Sequence, residues 1–346
     1  MKSVDAGAAV PSLMIQYKDI FICPACSRGL NVSSDHCMIE CPRCNISFKC
    51  ENGIPLLFCP NEWGPKTDVT EDVKSFYEKT PFPNYEDVDS KWRLREKAEK
   101  GIFARLLDEQ IPQGAMVLEV GCGTGQMSNF LGIKGGRTVF GTDVCLNSLK
   151  LGQEFKEQNS IDGVAFLQMN LFRPMFKPES FHLVICNGVL HHTSDPFLGF
   201  KSILKLVLKG GFIIIGLYNT FGRIPTDIIR FIFRLSGDRF KFLDSRLRDE
   251  SLEHVKRHTW FMDQYKHPHE SKHTIGEVLD WFGQSGVEFI NSIPKAKAFE
   301  PFSPEEKLFK ANQKGTSLDH LFVQLGMLLK GGSEGGFFIM IGRKRV

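Results

Sequence analysis

The chain has 346 residues, of which 42% are hydrophobic and 24% charged, and its formal charge is +3. This composition is ordinary for a folded globular protein and excludes collagen, a disordered tail and a disulfide-stapled miniprotein. The charge is too small by itself to argue for nucleic acid or membrane, and no apolar run approaches the ~20 residues of a membrane helix.

Residues 1–14 contain an early Asp5 and no sustained apolar core, so they make a poor signal peptide. A cytoplasmic, reducing location is therefore expected, where paired cysteines bind metal more often than they form disulfides. Seven of the ten cysteines fall within the first 59 residues. Cys23 and Cys26 form one C-x-x-C and Cys41 and Cys44 a second, with fourteen residues between the pairs. Two such knuckles present four sulfurs to one ion, usually zinc, and leave no open position for catalysis. A structural zinc is expected. Cys37, Cys50 and Cys59 are left over and read as small buried hydrophobes.

After the second knuckle come Phe48-Lys49-Cys50-Glu51-Asn52 and Gly53-Ile54-Pro55-Leu56-Leu57. This order resembles the zinc-ribbon domain of the tRNA-methyltransferase activator family over about residues 20–59. A comparable ribbon precedes the methyltransferase domain of some bacterial rRNA guanine methyltransferases. A zinc-ribbon domain is assigned to residues 1–62. Residues 63–111 follow as an aromatic strap and a helix. Pro81 and Pro83 forbid a continuous helix in the strap, while Phe76, Tyr77, Phe82 and Tyr85 suit either a docked segment or a lid. Residues 91–111 read as one helix, with Leu94, Ala98, Ile102 and Leu106 on a common face.

Residues 116–120 form a short apolar strand, followed at once by Gly121-Cys122-Gly123-Thr124-Gly125 and a helical run from Gln126 to Leu131. Strand, glycine loop and helix together indicate a nucleoside-binding unit, since glycine allows a sharp turn and close ligand approach. The next strand, 138–142, ends at Asp143, where a carboxylate can accept from ribose hydroxyls. Residues 164–168, 182–187 and 212–217 give three further strands, the last entered through Leu208-Lys209-Gly210-Gly211. Their near-continuous apolar character indicates a parallel sheet covered on both faces. The fold class is α/β, a doubly wound, mostly parallel seven-stranded sheet with a small ribbon in front.

These residues, with Asn187-Gly188-Val189-Leu190-His191-His192, resemble the class I S-adenosylmethionine-dependent methyltransferases, in particular the ubiquinone/menaquinone-biosynthesis branch. The resemblance is strong over 112–217 and weaker to the carboxyl end. It implies S-adenosylmethionine as cofactor. Glu119, Gly121, Cys122, Gly123, Thr124 and Gly125 would surround its methionine part, Asp143 and Val144 its ribose, with Leu171 and Asn187 nearby. Asn170 stands where many members carry the Asp that meets the adenine amino group, and its amide oxygen can accept the same bond. A nicotinamide fingerprint, G-x-G-x-x-G, does not fit.

His191 and His192 sit at the rim where substrate approaches. Either could serve as a base, His192 ahead of His191, although a packing role is favoured for both. The methyltransferase domain, 112–346, carries insertions at about 218–275 and 294–334. Residues 224–235 read as an amphipathic helix packed on the domain, in preference to one lying on a membrane surface. Residues 201–272 hold 14 basic and 8 acidic side chains, a local +6 that could meet phosphate. Five of the ten histidines lie between 254 and 273. His267, His269 and His273, with Asp263 and Glu270, match no metal template. Tyr77, Tyr85, Tyr218, Trp260, Tyr265 and His269 are expected to contact the acceptor. Thr274 and Glu277 form a capping box, Ser303 and Glu306 suggest a second, and a helix over 318–329 precedes a seventh strand at 336–342.

The expected activity is methyl transfer from S-adenosylmethionine to a small-molecule or carrier-bound acceptor. The alternatives are an RNA base methyltransferase that uses the ribbon for recognition and a non-catalytic interaction protein. Integral membrane association is not expected, and the oligomeric state is left open.

Overall fold

A computed structural model of the chain describes residues 10–32, 38–63, 68–83, 85, 87–237, 239–240, 243–248, 254–334 and 336–346. Cys37 lies outside the described residues.

The amino-terminal unit begins with α1 (Ser12–Gln16) and holds four short strands: β1 (Asn31–Val32), β2 (Met38–Cys41), β3 (Ile46–Glu51) and β4 (Ile54–Pro55). They form an antiparallel sheet in sequence order. This sheet is joined to the rest of the molecule. Ile22 N–H donates to Met175 (2.7 Å), and Leu56 bridges in parallel to Gln168. Phe21 packs with Phe140, Phe176 and Phe181 in a buried ring cluster with neighbouring centroids 4.9–5.9 Å apart. Each such ring removed from water contributes roughly 1.5–3 kcal/mol.

The strap contains α2 (Thr70–Lys79), a helix that ends just before Pro81, where the missing N–H and the ring would break it. The segment expected as one helix is two, α3 (Lys91–Glu99) and α4 (Ile102–Gln110). The break falls at Gly101, which adopts an extended conformation, and glycine's backbone entropy makes it the cheapest place to interrupt a helix.

The main sheet is built from β5 (Met116–Val120), β6 (Thr138–Asp143), β7 (Val164–Gln168), β8 (Phe181–Asn187), β9 (Val207–Tyr218), β10 (Val287–Ile293) and β11 (Phe337–Lys344). Its order is β7-β6-β5-β8-β9-β11-β10, with β11 antiparallel to both neighbours. Helices α5 (Gln126–Ile133), α6 (Leu146–Gln158) and α7 (Pro196–Leu204) connect the parallel strands. Val207 pairs with Phe181 and Phe212 with Leu183, so Leu208-Lys209-Gly210-Gly211 loops out of the ladder at the entry to β9. Strand order reverses between β5 and β8, and the carboxyl ends there open the crevice in which such sheets bind ligands.

The first insertion holds α8 (Ile224–Ser236), α9 (Ser245–Arg248) and α10 (His254–Phe261), which runs into a π-helical turn, Met262–Lys266. α11 (Ile275–Gln284) starts at the expected capping box of Thr274 and Glu277. Ser303 and Glu306 instead close a turn with no helix after it, and Glu306 is drawn to Lys295 (2.6 Å). α12 (Ser317–Glu334) packs beside α8. No helix among the described residues is long and apolar enough to cross a membrane.

Candidate active site

The glycine loop leaves β5 at Gly121, φ +70°, and continues through Gly123, φ +54°, to Gly125, φ +74°. These left-handed values suit glycine, and space forbids anything larger. A Cβ on Gly121 would stand 2.2 Å from the Val189 side chain, and one on Gly125 2.4 Å from the Phe166 ring. Asp143, at the end of β6, holds the loop in place. Its carboxylate accepts from Gly123 N–H (2.9 Å) and Cys145 N–H (2.8 Å), while burial raises its pKa. Glu119 accepts from the Ser128 hydroxyl (2.5 Å), and burial lifts its pKa to about 7.

The loop and Asp143 line a cavity of about 640 Å³ that continues past Asn187 and His192 to Tyr218, Trp260 and Asp263. The strap closes one side through Val73, Tyr77, Phe82 and Pro83. It is also docked: Glu78 accepts from Leu146 N–H (3.0 Å), and Thr124 donates to the Pro83 carbonyl. The strap is thus docked on the domain and also lines the cavity.

His192 lies in the short 3₁₀ turn after β8 and is buried. Its Nδ1 is 2.8 Å from the His269 carbonyl. A carbonyl only accepts, so Nδ1 carries the proton and Nε2 is the free lone pair. Burial holds the ring neutral, with a pKa pushed down to about 4. His267 stacks on it at 3.7 Å and is likewise depressed, to about 3, by burial. Asp263 accepts from the Tyr77 hydroxyl (3.0 Å) and from Gln264 (2.8 Å), and burial raises its pKa. The widened π-helical turn lets Asp263 and Gln264 face the cavity while Tyr265 turns to the satellite core of Phe233 and Phe261.

Behind this wall lies Arg223, fully buried over the Tyr218 ring (3.8 Å). It donates to Gln264 (2.6 Å) and to both oxygens of Glu270 (3.1 and 2.7 Å). Burial alone would raise Glu270, but Arg223 and Arg230 outweigh it and hold the carboxyl at about 2.

Several expected contacts fall elsewhere. Tyr85 does not line the cavity: it stacks on Phe155 at 4.4 Å and donates to the Thr124 carbonyl. Tyr265 donates to Asp244 (2.6 Å) away from the site. His269 lies behind His192 and presents its ring Nε2 to the Thr193 carbonyl (3.0 Å). His191 packs against Tyr218, and neither of its ring nitrogens has a hydrogen-bond partner among the described residues. Thr124 and Gly125 shape the loop without lining the cavity, whereas Cys122, Val144, Leu171 and Asn187 do line it. Trp260 lines it with Nε1–H donating to Asp244 (3.1 Å). Asn170 also lines it, but its amide is engaged. It donates to the Cys59 carbonyl (2.9 Å) and Asn61 (2.8 Å), and its oxygen accepts from Phe172 N–H. Asn170 thus anchors the exit of the amino-terminal unit, while its oxygen keeps a second lone pair at the cavity wall. Arg223 and Gln264 were missed because no local pattern marks them; only the basic excess of the insertion pointed that way.

The sulfurs of Cys23, Cys26, Cys41 and Cys44 lie within 4.8 Å of one another. Four thiolates about 2.3 Å from a shared ion would stand about 3.8 Å apart, so the cluster is compatible with zinc binding. It is the one metal-ligating group among the described residues, and the histidines of 254–273 form no second one.

Residues 118–215 match the family model described as a methyltransferase domain. An uncharacterized protein of Synechococcus sp. is 26% identical over 250 residues, 64% of this chain and 60% of its own length. A ubiquinone biosynthesis O-methyltransferase of Paracidovorax citrulli is 31% identical over 31% of this chain and 45% of its own length. The chain thus spans about half the length of these curated relatives. Magnesium protoporphyrin IX methyltransferase of Synechocystis PCC 6803 with bound SAH is 13% identical, with a TM-score of 0.46, over 79% of this chain and 99% of that one. Residues 118–215 of the chain thus carry a methyltransferase domain.

Proposed function

We propose that the chain transfers a methyl group from S-adenosylmethionine to a small-molecule or carrier-bound acceptor seated between Tyr77, His192, Tyr218, Trp260 and Asp263. The observation that carries this reading is one continuous cavity of about 640 Å³, which joins the glycine loop and Asp143 to a wall of aromatic and titratable side chains. A concave pocket of that volume suits a small acceptor better than a nucleic-acid strand. The named O-methyltransferase relatives support a hydroxyl as the accepting group.

S-adenosylmethionine, when bound, supplies a methyl group already activated on a sulfonium. What remains for the protein is alignment and proton removal. Gly121 and Gly123 give the cofactor a close backbone approach, and Asp143 is placed for its ribose. The strap, through Tyr77 and Phe82, excludes water. His192 Nε2 accepts the acceptor's proton, while the His269 carbonyl fixes the ring through Nδ1–H. Asp263, steadied by Tyr77 and Gln264, orients a polar group of the acceptor. The four cysteines hold one structural zinc. A cytoplasmic location completes the proposal, on the argument that a close group of four thiols is kept for metal in a reducing compartment.

Isothermal titration should find S-adenosylmethionine binding in the wild type. Asp143→Ala should weaken it about a hundredfold, or about 2.7 kcal/mol. Unchanged affinity would refute the cofactor site. Incubation with methyl-labelled cofactor and cell extract should place label in small molecules; label in RNA would favour the nucleic-acid alternative.

A further inference from the structure

A second hollow, of about 410 Å³, opens outside the candidate active site, between the exit of the amino-terminal unit and α7. Its volume falls within the roughly 300–1,000 Å³ of small-molecule sites. One wall comes from α7 and its C-cap. Leu198, Lys201, Ser202 and Lys205 follow a spacing of three, one and three, which on a helix is a single face. The buried Ser202 hydroxyl donates to the Leu171 carbonyl (2.8 Å) and pins that face beside Phe172. A second wall is aromatic: Trp63 meets Phe172 edge-on, with ring centroids 4.6 Å apart. Arg173 completes the hollow and donates to the Pro60 carbonyl (2.8 Å) and to Glu62 (2.8 Å). Among the described residues, Phe172 alone lines both this hollow and the cavity of the glycine loop.

Charge and ring surface together define the guest. Lys201, Lys205 and Arg173 against Glu62 leave the hollow at +2. Lys201 and Lys205 are exposed, and the Lys201 ammonium lies over the Phe197 ring (4.5 Å) rather than on a carboxylate. The Glu62 side chain is 83% exposed, so water competes for its pair with Arg173 and the pair is weak. A phosphate can take its place, because it accepts two parallel N–H bonds from a guanidinium. A phosphate monoester carries about −1.5 to −2 at pH 7, which matches the +2 of the hollow. The rings of Trp63 and Phe172 add a platform for a flat heterocycle, and a stacking platform beside cations is how proteins hold nucleotides without reading their sequence. A bare anion would leave the rings unused, and an apolar guest would leave the lysines unanswered. We propose that this hollow binds a nucleoside monophosphate, with its base against Trp63 and Phe172 and its phosphate on Lys201 and Lys205. The site is separate from the methyl-transfer cavity and does not depend on which acceptor is methylated.

The test is isothermal titration of the full chain with uridine 5′-monophosphate, in the presence of saturating S-adenosylhomocysteine. A pyrimidine is a poor mimic of the cofactor's adenosine, and the filled main cavity leaves only the second hollow open. The wild type should bind one nucleotide per chain with a dissociation constant below about 1 mM. Lys201→Glu with Lys205→Glu should weaken binding by about tenfold or more, since it sets like charges against the phosphate. Trp63→Ala should weaken it by about tenfold through lost stacking. Uridine and inorganic phosphate, each carrying half of the recognised chemistry, should each bind at least about tenfold more weakly than the nucleotide. All three altered side chains lie outside the main cavity, so unchanged affinity for S-adenosylhomocysteine, with circular dichroism, checks that the variants fold. Failure of the wild type to bind overturns the proposal. So does binding that both variants retain, binding that S-adenosylhomocysteine displaces, or inorganic phosphate binding as tightly as the nucleotide. Binding of a single-stranded RNA oligonucleotide with no uptake of the mononucleotide would assign the face to a nucleic-acid strand and overturn it as well.

Discussion

The ribbon and the first insertion are both additions to the same seven-stranded core, yet they use apolar residues in opposite ways. In the ribbon, Phe21, Ile39, Phe48 and Leu57 all join the buried cluster that includes Leu118 and Phe140 of the main sheet. In the insertion, the buried apolar residues form a small satellite around Phe233, and the longer stripe of α8 faces outward. Arg223, Glu270 and Gln264 tie the insertion's own segments together, and polar contacts join it to its surroundings: Asp263 accepts from Tyr77 of the strap, while the His269 carbonyl and Ser271 N–H meet His192 and His191 after β8. An appendage held by packing is a structural part; one held by a polar network at the cavity wall, with its apolar side outward, belongs to the working surface.

The largest expected effect tests the ribbon. Metal analysis should find about one zinc per chain, and Cys41→Ser with Cys44→Ser should abolish it and lower stability in urea by more than about 5 kcal/mol. Retained stability would show that packing suffices without the ion. Next, Arg223→Met leaves Glu270 buried with Arg230 as its remaining partner, and should cost about 3 kcal/mol in the same assay. A neutral result would show that the insertion's segments hold together without that network. Ile39→Ala in the ribbon should cost about 2–4 kcal/mol through its cavity.

The fourth test uses pH. His192 has a folded pKa of about 4, below the unfolded value of about 6.5. The unfolded chain therefore takes up a proton that the folded chain refuses, and stability falls as pH drops from 7 through 5 toward 4. His192→Gln should remove about 2 kcal/mol of that loss between pH 7 and pH 5. Only the difference from wild type isolates it, because Glu119, with its raised pKa of about 7, loses stability in the opposite direction. An identical pH dependence in the variant would mean that the ring is not held neutral. Smallest of all, Phe231→Ser should change stability by no more than about 0.5 kcal/mol, since it already faces water. A cost comparable to Ile39→Ala would end the contrast.

Much of this could be read from the chain. The glycine loop, Asp143, the buried strands and the cysteine pairs are local patterns with a fixed physical meaning, so residues close in sequence identified them. The capping box at Thr274 belongs to the same class. What could not be read depends on contacts across the chain. Tyr77 and Asp263 are 186 residues apart, and Asn170 meets Cys59 across 111. Tyr85 and Tyr265 looked like acceptor residues because aromatics near a site are ambiguous until their direction is known. The outward stripe of α8 has the same periodicity as an inward one. Sequence periodicity reveals that a face exists, and only packing tells which way it points.

The bridge between Leu56 and Gln168 has one more consequence. β7 is the last strand of the main sheet, and every one of its five residues is buried. A flat apolar strand with open backbone groups is a template for pairing with other chains. The ribbon seals that margin. If the four thiols hold zinc as proposed, stripping the ion or oxidising them should show first in a cell as insolubility, with lost catalysis following from it. Solubility of the newly made chain under zinc limitation would then report on the ribbon before any assay of turnover could.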